Sequence, residues 1–381
     1  ASMNMGIVAR ALLVYRISDS GAILGLAALA NAIPMIFFSL WGGAIADRLH
    51  KKSILLFSML GSMLVALGVG ISMVMGYLGV DNAGSWWILI VASVLQGSIM
   101  GIMMPARQSI IAEIVEPDQL MNAVSLNMMG MNAFRILAPA ATGFLIDGFG
   151  FTSIYFITAG MYAMGAVCMV YMPKTAQKMS KGQSAIRDII DGFRYVRQDK
   201  NILYVLLFTL FGMICGMPFM QLMPMITDDI LMVGASGMGI LLSVSGGGAI
   251  IGSLFLASAA SRKRGLIMLV AGGIMGLALI GFAFSEKWWL SIIVVAFVGL
   301  GQTGYRTTGN VLVQIYTKPE YRGRVMSFIM MEIGFSSLGT FFAGVMAEVV
   351  GIQWSIGSLA MVFVAVTLAF IFLTSRLRKL D

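Results

Sequence analysis

Apolar runs of about 20 residues recur from one end of the chain to the other, and charged side chains fall almost wholly in the gaps between them. A helix rises about 1.5 Å per residue, so each run can cross about 30 Å of hydrocarbon. The runs lack the alternating ten-residue pattern of an outer-membrane barrel. With glycine, proline and charge clusters as punctuation, the pattern predicts twelve transmembrane helices. They cover residues 1–16, 21–46, 53–76, 85–108, 119–146, 151–172, 201–227, 236–258, 264–284, 288–313, 323–350 and 352–374. The first run is short and is expected to begin upstream of residue 1. No cleavable signal sequence is visible, because no basic segment precedes the apolar part.

Composition agrees with this pattern. The chain has 381 residues, of which 59% are hydrophobic and only 11% charged, against about 25% charged in soluble domains. An all-α integral membrane protein follows.

Charge then gives orientation. The segments after helices 2, 4, 6, 8 and 10, together with the C-terminal segment, share one face and hold 20 of the 25 basic residues. The opposite face holds Arg16 and Lys287, and Arg10, Arg135 and Arg306 lie inside helices. Such a bias places the first face, and both termini, in the cytoplasm of a cell (inner) membrane. The net charge of +8 is therefore a topology signal, and no nucleic-acid partner is expected.

The longest gap divides the chain into residues 1–172, a linker over 173–200, and residues 201–381. Ile186, Ile189, Ile190, Phe193 and Val196 recur at helical spacing in the linker among Arg187, Asp188, Asp191, Arg194 and Arg197. They predict an amphipathic helix on the cytoplasmic face. The two halves resemble each other. PARQSIIAEIVEPDQLMNAVS from Pro105 aligns with TTGNVLVQIYTKPEYRGRVMS from Thr307, so Pro117 falls on Pro319 and Ser125 on Ser327. HKKSILL at His50 echoes RKRGLIML at Arg262. A parallel six-plus-six repeat points to a transporter with its site between the halves near the bilayer midplane.

The fragment GGAIADRLHKK, residues 42–52, concentrates charge behind paired glycines. Gly43 allows close helix approach. Asp47 can face the positive N-terminus of another helix, and Arg48, Lys51 and Lys52 can pair with acids such as Glu113 or stay with lipid phosphates. The cluster would latch the cytoplasmic side; the plainer alternative is ordinary positive-inside charge. In the second half Ala259 stands near the place of the Asp, so one latch of this type is expected.

Those residues fit the G-x-x-x-D-R-x-x-[RK]-[RK] pattern of the major facilitator superfamily, which the chain resembles over its whole length. The resemblance implies two pseudo-symmetric six-helix bundles working by alternating access. VARALLVYRISDS, PARQSIIAEIVEPDQLMNAVSL and DGFRYVRQDKNILYVLL look like the exporter branch that includes the enterobactin exporter and macrolide-efflux pumps. That implies export driven by the proton gradient, with no other cofactor. Two exporter signatures are altered. Gln96-Gly97 keeps the tail of R-x-x-Q-G, with Ser93 in the Arg position, and Ala138-Pro139 with Gly143 approximates G-P-x-x-G.

Charges inside helices are costly, about 2.5–3.5 kcal/mol even on the insertion scale, and so point to function. Arg135 and Arg306 lie deep, Glu332 about a third of the way in, and Arg10 can snorkel to the outer edge. Glu332 is the candidate proton carrier. Burial favours the protonated carboxyl, and an approaching arginine favours the carboxylate. The alternative is a permanent Glu332–arginine salt bridge. The arginines suit an anionic or phenolic substrate, or else hydrogen-bond backbone carbonyls around broken helices.

Asn31, Asn127, Asn132, Gln221 and Gln302 are further cavity candidates, each also a candidate helix–helix hydrogen-bonding group. Pro218 and Pro224 interrupt helix 7, and a kink there would suit a gate. The 33 Met fit adaptable packing better than a Cu(I) path. Cys168 and Cys215 are expected to be free buried thiols, and the sole histidine, His50, argues against a metal site. No P-loop, GxSxG or HExxH is present, so no enzyme activity is expected. The sequence thus reads as a monomeric proton-coupled exporter of a small amphiphilic or anionic compound, surrounded by membrane lipids. The alternative is an uptake or (lyso)lipid-translocating permease of the same fold.

Overall fold

The computed structural model describes the backbone of the chain except at 49, 117, 173–184, 259–262, 379 and 381. Side chains are also left out at 40–48, 83, 108–109, 112, 185–190, 330, 333 and 375. Among the described residues the regular secondary structure is helical. These are α1 (Ser2–Ser18), α2 (Gly21–Arg48), α3 (Lys51–Val74), α4 (Trp86–Ile114), α5 (Leu120–Tyr171), α6 (Ala185–Gln198), α7 (Lys200–Gly216), α8 (Pro218–Gln221) and α9 (Met223–Met225). They continue with α10 (Gly234–Ser258), α11 (Arg264–Ala283), α12 (Trp288–Tyr316), α13 (Arg322–Val350), α14 (Ile352–Leu373) and α15 (Ser375–Arg378).

Among the described residues, ten helical stretches are long and apolar enough to span a membrane. The 17-residue α1 falls just short of that length, and the 52-residue α5 is long enough to cross twice. Twelve crossings result. The break inside α5 is Gly150, with φ 76° and ψ 172°. The matching break between α13 and α14 is Gly351, at φ 84° and ψ 156°. Both lie in a backbone region that is essentially glycine-only, so one residue reverses the chain with no intervening loop. The expected separate helices over 119–146 and 151–172 are therefore both present, joined directly at Gly150.

The span expected over 201–227 is interrupted at both prolines, as they predict. It breaks into α7, α8, α9 and a π-helical turn over Ile226–Ile230. Pro218 opens α8 and Pro224 lies in α9. Neither proline has an N–H to give, which removes the bonds that would join the pieces.

The chain forms two compact units, residues 1–182 with 234–239, and residues 183–233 with 240–381. In the first, α2 packs on α4, and α1 and α3 on α5. In the second, α7 packs on α13, and α11 on α12 and α14. Glycine sets the closest approaches. A Cβ on Gly97 of α4 would lie 2.0 Å from the Asn31 carbonyl oxygen, and one on Gly299 of α12 would lie 1.9 Å from that of Ser245. Gly97 and Gly299 share the 202-residue offset of Pro117 and Pro319, so the repeat extends to the backbone contacts. Aromatic side chains fill the second core, where Phe208, Phe363 and Tyr305 are fully buried and mutually in ring contact.

The short α15 packs back on α11. The Gly265 N–H donates to the Leu380 carbonyl at 3.0 Å, and Leu377 and Leu380 are buried. Among the described residues both cysteines are free, but Cys168 is exposed and only Cys215 is buried. The expectation of two buried thiols fails for Cys168 because its helix position turns it out of the bundle.

Gly150→Ala and Gly351→Ala should each destabilise the protein by about 1–3 kcal/mol, read as a lowered melting temperature in detergent. Gly148→Ala is the control. Gly148 has a helical backbone with nothing within 4 Å of the added methyl, so it should leave the melting temperature unchanged.

Candidate functional site

Glu332 sits in the middle part of α13 and is only 6% exposed. The Thr209 hydroxyl of α7 donates to its Oε1 at 2.7 Å. Thr209 is itself buried, and its hydroxyl also lies at 3.1 Å from the Val205 and Leu206 carbonyls. Arg306 on α12 is half-buried and within electrostatic reach of the carboxylate. No arginine comes within ion-pair distance of Glu332 among the described residues. Tyr305, next to Arg306, is fully buried, and its hydroxyl has no hydrogen-bond partner among the described residues.

The other cavity candidates divide by environment. Gln302 is 1% exposed, and its amide donates to the Met217 sulfur at 2.9 Å. Gln221 closes α8 and is half-buried. Asn31 donates to the Ser93 carbonyl at 3.2 Å and so ties α2 to α4. Arg10 is half-buried on α1, within reach of Tyr155 and Tyr162. Asn127, Asn132 and Arg135 are all exposed on the first half of α5. Asn132 and Arg135 are three residues apart and so share a helix face. An arginine near mid-membrane that faced hydrocarbon would cost several kcal/mol, so this face suits a water-filled cavity.

Two charge clusters sit at opposite ends of the first unit. At the end where α3 starts, Lys51 is ion-paired with Glu113 of α4, each side chain 17% exposed. Lys52 donates to the Val170 carbonyl at 2.8 Å and also to that of Met172, where its charge complements the negative end of α5. The side chains at Gly43, Asp47 and Arg48, the remainder of the expected latch, lie outside the described residues.

At the far end, Asp147 accepts from the Ser236 N–H at 2.8 Å, in the first turn of α10. A carboxylate there meets the positive end of the helix dipole. Arg16 stacks on the Phe151 ring at 5.6 Å beside the same turn. Pro139 and Gly143 are buried on α5 and contact this turn directly. A Cβ on Gly143 would lie 2.2 Å from the Ala235 carbonyl oxygen, and one on Gly239 2.4 Å from that of Pro139. Sequence reasoning singled out Pro139 and Gly143 but missed Asp147 and Thr209. An acid at a helix end is a signal, yet its partner is 89 residues away.

Two repeated six-helix units with polar groups held deep inside define a multi-pass membrane transporter. The sequence profile of the Major Facilitator Superfamily matches residues 1–331 and 219–380, and the chain belongs to that superfamily. It is a transporter and not an enzyme. It is similar to the Staphyloferrin A transporter of Staphylococcus aureus (strain NCTC 8325 / PS 47), at 25% identity over 360 residues, 93% of this chain and 88% of the relative. It is also similar to Macrolide efflux protein A of Streptococcus pyogenes, at 23% identity over all of this chain and 94% of the relative. Among solved structures, a bacterial homolog of the human lysosomal transporter Spinster, inward-facing and unoccupied, matches with a TM-score of 0.70. Its identity is 15%, covering 99% of this chain and 96% of that one. The nucleoside transporter NupG matches with a TM-score of 0.70 at 15% identity, covering 98% and 99%. At these identities the structural likeness is one of fold alone.

Lys51→Met should destabilise the first unit by about 3 kcal/mol, because it strands the Glu113 carboxylate. Adding Glu113→Leu should recover most of that loss, as a thermal melt of both variants would show. Gly143→Ala should push the first turn of α10 away from α5 at a cost of about 1–3 kcal/mol. A cysteine introduced at Ser236 should then react faster with a membrane-impermeant maleimide, on a background lacking Cys168 and Cys215.

Proposed function

We propose that this transporter is a proton-coupled exporter of a small amphiphilic or anionic compound, of the macrolide or siderophore class, working by alternating access in the cytoplasmic membrane. The observation that carries the coupling is Glu332, a buried carboxyl bonded to Thr209 with no ion-pair partner among the described residues. A carboxyl in that state can hold a proton while dry. It releases the proton when water and Arg306 reach it, which is what a coupling site requires. No cofactor beyond the proton gradient enters this cycle.

The substrate side rests on Asn132 and Arg135, whose exposed face offers a cation and an amide to an anion or a carbonyl-rich molecule. Residues 1–172 and 201–381 are the two moving bundles, with 173–200 as the linker. Asp147, Pro139 and Gly143 hold the first turn of α10, and opening to the outside releases that contact. Lys51, Lys52 and Glu113, with Gly43, Asp47 and Arg48, form the cytoplasmic latch. Both termini face the cytoplasm, as the placement of 20 basic residues on one face favours. The direction of transport is supported by the macrolide-efflux relatives.

The test uses inverted membrane vesicles with a labelled macrolide and with staphyloferrin A. Vesicles acidified inside should accumulate one of them. Glu332→Gln should abolish that accumulation while leaving binding and equilibrium exchange intact. Full gradient-driven accumulation by Glu332→Gln would remove this residue from coupling, and gradient-driven expulsion by the wild type would mark an uptake permease.

A further inference from the structure

On the basic face of the second unit, a cavity of about 470 Å³ opens among Tyr195, Gln198, Asp199, Lys200, Lys318 and Arg376, with Asn201 beside them. Its walls come from four segments distant in the chain. They are the end of α6, the start of α7, the connection after α12 and the terminal α15. By the alternation of spans, the start of α7, the end of α12 and the end of α14 all lie at one membrane face, the one that carries most lysines and arginines.

Three of the lining groups are cations and one is a carboxylate. Asp199 is already engaged as the N-cap of α7, where its Oδ1 accepts from the Asn201 N–H at 2.9 Å and the Ile202 N–H at 3.4 Å. The Tyr195 hydroxyl is engaged as well, accepting from the Lys318 N–H at 3.2 Å, and its ring stacks on Tyr321 with centroids 4.3 Å apart. By contrast no carboxylate pairs with Lys200, Lys318 or Arg376 among the described residues. The cavity thus has rigid, satisfied walls and a surplus of unneutralised positive charge.

Its volume lies within the roughly 300–1,000 Å³ of small-molecule sites. Mixed lysine and arginine suit a phosphate, with arginine for bidentate contact and lysine as a point charge. A basic recess at the ends of spanning helices on the positive face is where a lipid phosphate would dock.

We propose that this cavity binds a phosphate-bearing anion, the headgroup of an acidic phospholipid or free phosphate. Occupancy would offset part of the combined charge of Lys200, Lys318 and Arg376. It would fasten α15 and the end of α6 to the start of α7, adding to the hold of Asp191 on Arg324 at 3.6 Å. The site is separate from Glu332 and does not depend on the direction of transport.

Native mass spectrometry of the full-length protein, released from nanodiscs of phosphatidylglycerol or phosphatidylcholine, tests this. The wild type should retain phosphatidylglycerol selectively. Lys318→Gln with Arg376→Gln should weaken that retention about thirtyfold, the effect of two cations near an anionic surface. The charge-matched pair Arg194→Gln and Arg197→Gln, exposed residues that do not line the cavity, should retain the lipid, and both double variants should melt like the wild type. Equal loss in both variants, or no lipid preference together with no protection of the wild type by inorganic phosphate in a thermal melt, would overturn the site. Displacement of the lipid by millimolar inorganic phosphate would assign the site to the free anion.

Discussion

Hydrocarbon offers no hydrogen bonds, and that constraint governs the rest of this structure. Each backbone amide must be satisfied within its own helix or by a neighbour, which leaves a helical bundle as the only architecture open to this chain. The same rule applies to side chains. Thr142, Ser93 and Thr367 return their hydroxyls to the carbonyl four residues earlier in their own helices. Where satisfaction inside the helix fails, a neighbouring helix supplies it, as Ser93 supplies a carbonyl to Asn31 and Thr209 a hydroxyl to Glu332.

Because lipid is as apolar as leucine, helices gain little by hiding leucine from it, so tight association has to come from close backbone approach. Gly97 against Asn31, Gly299 against Ser245 and Gly143 against Ala235 supply it. At each position any Cβ would enter the van der Waals space of a carbonyl oxygen. The first two contacts fix α2 on α4 and α10 on α12. The third lies beside Asp147, so steric fit and a helix-end charge act on the same turn of α10.

Much of this was legible in the sequence. The spans were, because 20-residue apolar runs admit few other readings, and the repeat was, because Pro117 and Pro319 mark it. The charge cluster at 42–52 points to Glu113 as a partner, and Lys51 pairs with it. What escaped was long-range pairing. Nothing in the text near Asp147 announces Ser236, and nothing near Glu332 announces Thr209, since a single chain does not display which faces meet. The break of helix 7 into short pieces was legible only as two prolines. The exposure of Cys168 is not legible, because composition gives depth in a membrane but not the direction a side chain faces.

The repeat also separates what the fold needs from what it does not. Packing features recur at the 202-residue offset, with Gly97 matched by Gly299 and the Gly150 break answered at Gly351, one residue short of it. The deep charges do not recur. Glu332 corresponds to Gly130, Arg135 to Ser337 and Arg306 to Met104. Each half therefore reaches the same helical packing without the ionisable group that the other carries at that position. A charge kept in a costly place that the fold can do without needs another reason to be there. For Glu332, buried and bonded to the Thr209 hydroxyl, the proton-carrying role proposed above would be such a reason.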